Sequence, residues 1–380
     1  MDRKKAFFIL VTAFYWVSTY TYMPIFAVYL DAIHVPSRTI GLILGSYGIV
    51  QMLLRLPVGI VSARLQKSKV FIHFGLVFSV ISAVGLAYTA DPVWILLFRG
   101  LAGAVAATWV DYTVLYASYF KPEQAARAVG EMNFMCSFSQ MGGMLVGGVL
   151  AQYCGYRSTF LAGAAAAFFA LALSFFLREK KEPVRSSLSI GDALSVVRDK
   201  NLLLVSFLAV LSQMVTFATV FGFTPIYAKT LGANDIGMTI LVVAANLPAA
   251  LAALIQGGRG LSRRGLIICG FIVNGIFTLM TPFIQNFIFL VLCQALAGFG
   301  RGLSYSLLMG LSILHIPTEK RSVAMGFFQA VYGLGMFLGP ALMGLVGERN
   351  LQSGFVIAGA VALLSAAPAW FVGRGARKAS

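Results

Sequence analysis

Acidic residues, histidine and cysteine are all scarce in this sequence of 380 residues, which has 13 Asp and Glu, 3 His and 4 Cys. Charged residues make up 11% of the chain, whereas a soluble globular protein has about 25%. The cysteines form no C-x-x-C pair and have no histidine at ligand spacing, so we expect buried or lightly exposed free thiols and neither a zinc site nor a disulfide framework. No activated nucleophile or phosphate loop is present either, so we expect no enzyme activity, no cofactor and no metal ion.

Positive charge is the exception to this scarcity, because the net charge is +16 in a chain that is 59% hydrophobic. A nucleic-acid partner would need Lys and Arg clustered on one solvent-exposed face. Here the basic clusters lie between long apolar runs. We therefore expect the chain to lie in a lipid bilayer and to bind no nucleic acid.

Apolar runs of about 20 residues, the length that crosses a bilayer as a helix, occur twelve times. We number them span 1 to span 12, and they cover residues 6–30, 39–63, 70–89, 93–117, 128–151, 159–177, 202–227, 236–257, 266–284, 287–314, 322–346 and 352–372. Only residues 178–200 form a long polar break, which divides the spans six and six. The predicted domains are an N-terminal six-helix bundle at 1–177, a linker at 178–200 and a C-terminal six-helix bundle at 201–380.

The basic residues lie mainly at one end of the predicted bundle. Of the 29 Lys and Arg residues, 22 fall in the segments that share a side with the linker and both termini, and four fall on the opposite side. The positive-inside rule therefore predicts that the linker and both termini are cytoplasmic. The sequence also has no N-x-S/T glycosylation site, which favours a bacterial inner membrane.

Span 4 carries a charged residue, Arg99, inside an apolar run, and part of its sequence recurs in span 10. The tripeptide at 101–103 reappears at 296–298, Gln294 stands at the position of Arg99, and a second arginine, Arg301, follows. A charge at bilayer depth costs several kcal/mol, so these side chains are expected to face protein or a water-filled cavity. The repeat indicates a duplicated chain.

Three local motifs, together with the division into six and six spans, resemble those of the major facilitator superfamily. Residues 99–107 (R-x-x-x-G-x-V-A-A) resemble its fourth-helix motif. Residues 139–148 resemble its helix 5 motif G-x-x-x-G-P-x-x-G-G, which residues 335–344 repeat on helix 11, and residues 156–160 resemble the W-R-x-x-F that follows helix 5. The same glycines are also typical of helices that merely pack closely. The resemblance covers the whole chain and implies an all-α membrane protein with twelve transmembrane helices in two pseudo-symmetric six-helix bundles.

A fourth motif of the family is incomplete in this sequence. Between helices 2 and 3 the family has G-x-x-x-D-R-x-G-R-[RK], and residues 59–69 have Ala63 in place of the acid. In the family this acid helps to lock the cytoplasmic side shut. The resemblance thus implies a gate with three basic residues, Arg64, Lys67 and Arg127, whose usual acidic partner is missing.

Asp111 and Glu131 are the only carboxylates within the predicted spans, which makes them the candidate proton carriers. The resemblance gives Arg99 a part in proton coupling, by biasing the protonation of a nearby acid. Alternatively, Arg99 bonds backbone carbonyls of neighbouring helices. The two acids have an alternative role as well, in a gate cluster with the three basic gate residues, where they replace the acid missing at Ala63.

Arg301 is predicted to lie unpaired near the bilayer midplane, on the same face of span 10 as Gln294. Substrates of this fold bind near the midplane, so a lone guanidinium there predicts an anionic or zwitterionic substrate. Alternatively, Arg301 bonds backbone carbonyls and only braces span 10. Arg55 is a weaker candidate, since its side chain can equally snorkel to the inner surface. Side chains that suit a cavity wall, or equally helix packing, are Tyr15, Trp16, Tyr20 and Tyr22 on span 1 and Gln213, Thr216 and Thr219 on span 7.

These features predict a secondary transporter that moves a small organic molecule by alternating access and is coupled to protons. Efflux by antiport is favoured, because the glycine motifs of spans 5 and 11 resemble those typical of antiporters. Proton-coupled uptake of an organic anion or of a sugar is the alternative, and a non-transporting membrane enzyme or sensor is a remote one. We expect the protein to act as a monomer.

Overall fold

The computed structural model describes residues 3–120, 124–179, 196–255, 262–317 and 320–372, and these residues form helices, turns and loops with no strand. Eleven segments are long and apolar enough to cross a membrane. The two helices of span 1 supply a twelfth. The predicted fold class, an all-α membrane protein, is therefore confirmed.

The helices follow the predicted spans closely. Single helices form span 2 (Ser37–Leu65), span 3 (Ser68–Tyr88), span 5 (Ala125–Cys154), span 6 (Tyr156–Ser174), span 8 (Asp235–Ile255), span 10 (Phe287–Leu314) and span 11 (Arg321–Gly347). The other spans are segmented: span 1 (Arg3–Tyr20, Phe26–Ala32), span 4 (Pro92–Ala107, Trp109–Ala117), span 7 (Lys200–Ala218, the π-helix Thr219–Phe223, Thr224–Thr230), span 9 (Arg263–Met280, the 3₁₀ turn Thr281–Phe283) and span 12 (Leu351–Leu364, Ala366–Ala369).

Spans 1, 4 and 7 were predicted as continuous helices, and the structure interrupts each of them. In span 1 the break contains Pro24, which has no N–H to donate and disfavours a helical conformation of the residue before it. In span 4 the break is at Thr108, whose hydroxyl donates to the carbonyl of Val105 at 2.8 Å and so competes with the backbone ladder. In span 7 the N–H of Thr224 donates to the carbonyl of Thr219, five residues back, which makes a π turn.

Polar residues in the short breaks fix where the next helices begin. The carboxylate of Asp91 accepts the N–H groups of Val93 and Trp94 at 2.8 and 3.2 Å at the start of span 4. Asn286 caps span 10 in the same way. Such caps satisfy backbone donors that have no partner in the first turn of a helix, and span 10 begins at the predicted residue.

The glycine motifs of spans 5 and 11 bring helices into close contact within each half. A Cβ atom on Gly147 would overlap the carbonyl oxygen of Thr21 on span 1, and one on Gly339 would overlap that of Met214 on span 7. Only glycine permits such an approach between helix backbones. The two halves therefore use the same device at matching spans.

We call the end of the molecule at which the linker leaves span 6 the linker side, and the opposite end the far side. At the far side, Lys229 Nζ lies 3.3 Å from Asp31 Oδ2, and Tyr156 OH donates to Asp235 Oδ1 at 3.1 Å. Each contact joins one of the first six spans to one of the last six, so the far side is held together across the halves. The bundle boundaries at 1–177 and 201–380 stay a prediction, because residues 180–195 lie outside the described residues.

Candidate functional site

Arg301 lies at the middle of the molecule, as the fifteenth residue of the 28-residue helix of span 10, and its side chain is 8% exposed. One nitrogen, Nη2, donates to the carbonyl of Ala245 at 2.9 Å and to Oδ1 of Asn246 at 3.1 Å. Both acceptors are on span 8. The expectation of an unpaired arginine was therefore wrong, and the bond to the carbonyl of Ala245 is of the kind that the bracing alternative predicts. These acceptors are neutral, and no carboxylate among the described residues contacts Arg301.

Gln294 and Arg301 share a helical face but bond to different neighbours. Gln294 Nε2 donates to Oγ1 of Thr281 on span 9 at 3.0 Å, whereas Arg301 reaches span 8. Span 10 lies between spans 8 and 9, so a long side chain on this face of span 10 can contact either of these helices. The structure thus does not bring Gln294 into contact with the guanidinium.

Arg55 is buried inside the protein, with 3% of its surface exposed. Its Nε atom is buried and has no hydrogen-bond partner. Its charge lies within electrostatic range of Tyr15, Tyr47 and Tyr305, which come from spans 1, 2 and 10. The alternative in which Arg55 snorkels to the surface is therefore not the arrangement observed.

Arg99 is held by aromatic rings and not by an acid. Its guanidinium carbon lies 4.7 Å from the ring centroid of Tyr47 and 5.3 Å from that of Phe26, distances at which a cation is attracted to a ring face. Nη1 donates to the hydroxyl of Tyr22 at 3.4 Å and Nη2 contacts the sulfur of Met23 at 3.2 Å. Backbone carbonyls, the alternative partners considered for Arg99, are not among these contacts.

Aromatic side chains of span 1 meet those of span 7 beside the buried arginines. Trp16 packs edge-on against Tyr20 with ring centroids 5.6 Å apart, and Tyr20 in turn meets Phe221 at 6.1 Å. Tyr47 stacks on Phe217 at 6.2 Å. The two contacts to span 7 cross between the halves, so these rings close the far side of the central region.

Gln213 and Tyr305 complete the central region from the second half. The side chain of Gln213 lies close to the hydroxyl of Tyr305, and Tyr332 on span 11 packs edge-on against the Tyr305 ring with ring centroids 6.1 Å apart. Arg301 also lies within electrostatic range of Tyr20. The predicted substrate residues Arg301, Arg55, Tyr20, Trp16 and Gln213 therefore gather around one region, from which Gln294 turns away.

The two candidate proton carriers lie nearer the linker side and bond to different groups. Asp111 is fully buried. Its Oδ1 accepts from the hydroxyl of Ser62 on span 2, and its Oδ2 is buried without a hydrogen-bond partner. Glu131 Oε2 accepts from Tyr116 OH at 2.8 Å. The structure thus gives Asp111 a hydroxyl partner where the gate alternative expected a cation.

The basic gate residues stand apart from Asp111. Arg64 and Lys67 are exposed. A long cationic side chain at a helix end can keep its charge in water, which costs less free energy than burying the charge beside a partner. The side chain of Arg127 lies outside the described residues. Among the residues that the structure describes, no group of three or more His, Cys, Asp or Glu is placed to hold a metal ion.

Three residues of the central region were missed in the sequence: Tyr47, Tyr305 and Asn246. Tyr305 stands four residues after Arg301, which places it on the same helical face, so the spacing could have revealed it. Tyr47 and Asn246 are isolated polar residues in apolar runs. Their roles depend on which helices lie side by side, and the sequence does not display that.

The sequence also matches a known family over its length. A sequence model described as "Major Facilitator Superfamily" matches residues 8–265 and 258–380. The chain is 23% identical over 354 residues to an uncharacterised MFS-type transporter of Methanocaldococcus jannaschii, covering 88% of this chain and 90% of that protein. It is 26% identical over 278 residues to the multi-drug resistance efflux pump PmrA homolog of Lactococcus lactis, covering 70% and 69%.

Solved structures agree with the sequence matches. A bacterial homolog of the human lysosomal transporter Spinster superposes with a TM-score of 0.82 at 14% identity, covering all of this chain and 98% of that one. The nucleoside transporter NupG superposes with a TM-score of 0.75 at 17% identity, covering 98% and 100%. These neighbours show the fold, and the family match shows a membrane transporter and not an enzyme. The chain belongs to the major facilitator superfamily.

Proposed function

We propose that this protein is a proton-coupled secondary transporter that exports a small anionic or zwitterionic organic compound by alternating access. The observation that carries the proposal is the set of three buried arginines, Arg55, Arg99 and Arg301, none of which contacts a carboxylate among the described residues. A buried cation without a counter-charge costs several kcal/mol. A substrate that brings a negative group would remove this cost.

Arg301 is the best placed of the three to bind the substrate. Its position at mid-depth is where transporters of this kind bind their substrates, and only its Nη2 is engaged by span 8. The planar guanidinium presents five N–H donors in a fork that matches a carboxylate or a phosphate. The bonds to span 8 orient this fork and leave donors free for a ligand.

Asp111 is the favoured site for the transported proton. It is buried, its partner Ser62 is a neutral hydroxyl, and burial without a cation favours the protonated form of a carboxyl group. Glu131, bonded to Tyr116, is the second candidate. Arg99 is held by aromatic rings at the far side, so it would influence the proton carriers at a distance and through these rings.

The direction of transport and the location rest on resemblance and charge. A relative named as a multi-drug resistance efflux pump, the PmrA homolog of Lactococcus lactis, favours export, as does one named as a multidrug resistance protein, MdtG of Salmonella arizonae. The distribution of Lys and Arg supports a linker side in the cytoplasm of a bacterial cell, with both termini inside. We propose a monomer in the inner membrane, with Arg64, Lys67 and Arg127 at its cytoplasmic gate.

Proton-coupled uptake of an organic anion or a sugar is the second candidate. The buried arginines favour an organic anion in either direction. The test imposes a pH gradient on membrane vesicles of known orientation. Accumulation of the compound in inside-out vesicles would identify export, and its accumulation in right-side-out vesicles would identify uptake.

Orientation can be tested separately, by cysteine labelling in a variant that lacks the four native cysteines. We expect a cysteine at Ser187, in the linker, to be shielded from an impermeant thiol reagent in whole cells, and a cysteine at Asn350 to be labelled. The reverse labelling pattern would overturn the proposed orientation.

The substrate class is tested by thermal shift on the purified protein. We would compare sets of three compounds that share one ring and carry a carboxylate, a carboxamide or an ammonium group. The carboxylates should raise the melting temperature of the wild type and leave that of Arg301→Ala unchanged. Equal stabilisation by the ammonium compounds, or stabilisation that survives in Arg301→Ala, would overturn the proposal.

A further inference from the structure

Arg55 differs from the other two buried arginines in having no partner of its own. Arg99 is held by a cage of rings, and Arg301 donates to span 8. Arg55 is 3% exposed, its Nε has no hydrogen-bond partner, and no hydrogen bond or ion pair joins it to another described residue. Such a group is rare in a protein interior, where buried charges are paired.

The surroundings of Arg55 come from both halves of the molecule. The hydroxyls of Tyr15, Tyr47 and Tyr305 lie within electrostatic range of its charge. The first two lie on spans 1 and 2, and Tyr305 lies on span 10. A neutral phenol can accept a hydrogen bond but does not balance a positive charge. The charge of Arg55 therefore lies near residues of both halves, and no ion pair joins it to a described carboxylate.

Arg55 and Arg301 lie at similar depth. Arg55 is the nineteenth of 29 residues in its helix, which puts it about 6 Å beyond the middle of span 2 towards the linker side, at a rise of ~1.5 Å per residue. Arg301 lies at the middle of span 10, and Tyr305 lies one turn further towards the linker side. Two guanidinium groups from opposite halves thus flank the region around Tyr305.

We infer that the substrate carries two negative groups, one bound by Arg301 and the other by Arg55, with an aromatic ring between them. This inference rests on the proposed function, in which Arg301 binds an anion. The second negative group provides the counter-charge that Arg55 lacks, and the rings of Trp16, Tyr20 and Phe221 supply flat apolar surface for an aromatic body. Because the two arginines come from different halves, a doubly charged substrate bridges the halves when it binds.

The test compares ligands that differ by one charge. Benzoate is the monoanionic probe, and isophthalate and terephthalate are dianionic probes with two spacings. Dissociation constants are measured by isothermal titration calorimetry on the purified full-length protein, with gluconate as the counter-anion. We expect the wild type to bind the better dianion at least about tenfold more tightly than benzoate, the effect of one added charged hydrogen bond.

Substitutions at the two arginines should separate their roles. Arg55→Gln should abolish the preference for the dianion. Benzoate should still bind to this variant through Arg301, which also shows that the variant is folded. Arg55→Lys, which keeps the charge without the fork, should retain part of the preference. Arg301→Gln should weaken the binding of all three probes.

Each other outcome has a defined meaning. Benzoate binding that depends on Arg301, without a preference for either dianion, would overturn this inference and leave the proposed function standing. A second result would also overturn this inference alone: chloride binds to the wild type but not to Arg55→Gln, and the dianions bind no more tightly than benzoate. Arg55 would then hold an inorganic ion. Absence of any binding that depends on Arg301 would overturn both proposals.

Discussion

Spans 4 and 10 are the duplicated helices of the two halves, and they share their packing but not their charges. A Cβ on Gly103 would overlap the carbonyl oxygen of Tyr47, and a Cβ on the matching Gly298 would overlap that of Ala245. The arginines differ, because Arg99 is the eighth residue of its span and Arg301 the fifteenth of its own. Seven residues correspond to about 10 Å along the axis. The duplicated glycine lets the helices pack closely in both halves. Because the arginines stand at different positions, one cation lies at the far side and the other at mid-depth.

The largest expected effect concerns the acid that only span 4 possesses. Asp111→Asn should abolish transport driven by a pH gradient in proteoliposomes and preserve binding of the anionic compound found by thermal shift. The matched control is Ser306→Ala, at the equivalent position of span 10, which should transport normally. If Asp111→Asn combined with Glu131→Gln still moves the compound against its gradient, both acids are gate elements and the coupling assignment is wrong.

The same substitution at the two arginines should have different consequences. Arg301→Lys keeps the charge but loses the fork, so affinity for the anionic compound should fall by about 1–3 kcal/mol. Arg99→Lys should lower the melting temperature through lost ring contacts and leave the dissociation constant unchanged. Both quantities are measured on the same samples. A variant Arg301→Lys with lower stability and unaltered affinity would show that Arg301 only braces span 10 against span 8.

The shared glycines should respond alike when they are replaced. Gly103→Ala and Gly298→Ala each place a methyl group against a backbone carbonyl, and overpacking of this kind costs about 1–3 kcal/mol. Gly142 and Gly310 have open space where an added methyl group would lie, so their alanine variants should be neutral or slightly stabilising. Unfolding monitored by circular dichroism provides the comparison. Unequal losses at the two shared positions would contradict the proposed equivalence of spans 4 and 10.

The smallest effect is expected at Gln294, which occupies the position of Arg99 in the duplicated sequence. Its bond to Thr281 predicts a coupling of about 1 kcal/mol in a double-mutant cycle with Gln294→Ala and Thr281→Ala. Ligand affinity should not change in either variant. A loss of affinity in Gln294→Ala would return this residue to the substrate site.

Much of the fold could be predicted from the sequence, because lipid imposes length and apolarity on every span. Span 10 was predicted to its end residues, helped by the Asn286 cap. The interruption of span 7 was not predicted, since the side chains of a π turn are as apolar as those of its neighbours. The breaks in spans 1 and 4 were not predicted either, although Pro24 and Thr108 lie at these breaks.

The candidate site was predicted by residue type but not by partner. Arginines within apolar runs long enough to cross a bilayer are conspicuous in the sequence. Their neutral hydrogen-bond acceptors, such as Asn246 and the carbonyl of Ala245, come from neighbouring helices that are far apart in the chain. The same holds for Asp111, for which a cationic partner was one alternative and which lies beside Ser62. Partner choice is a property of packing, and an apolar pattern does not encode it.

The π turn at Thr219–Phe223 determines which way the side chains of the outer part of span 7 face around the helix axis. It holds one residue more than an α turn would, so everything after Phe223 is rotated by about 100° relative to an uninterrupted helix. Lys229 follows the turn and lies 3.3 Å from Asp31 across the two halves. Deleting one residue from the turn would leave the composition of span 7 nearly unaltered and would rotate Lys229 by about 100° about the helix axis, away from its partner.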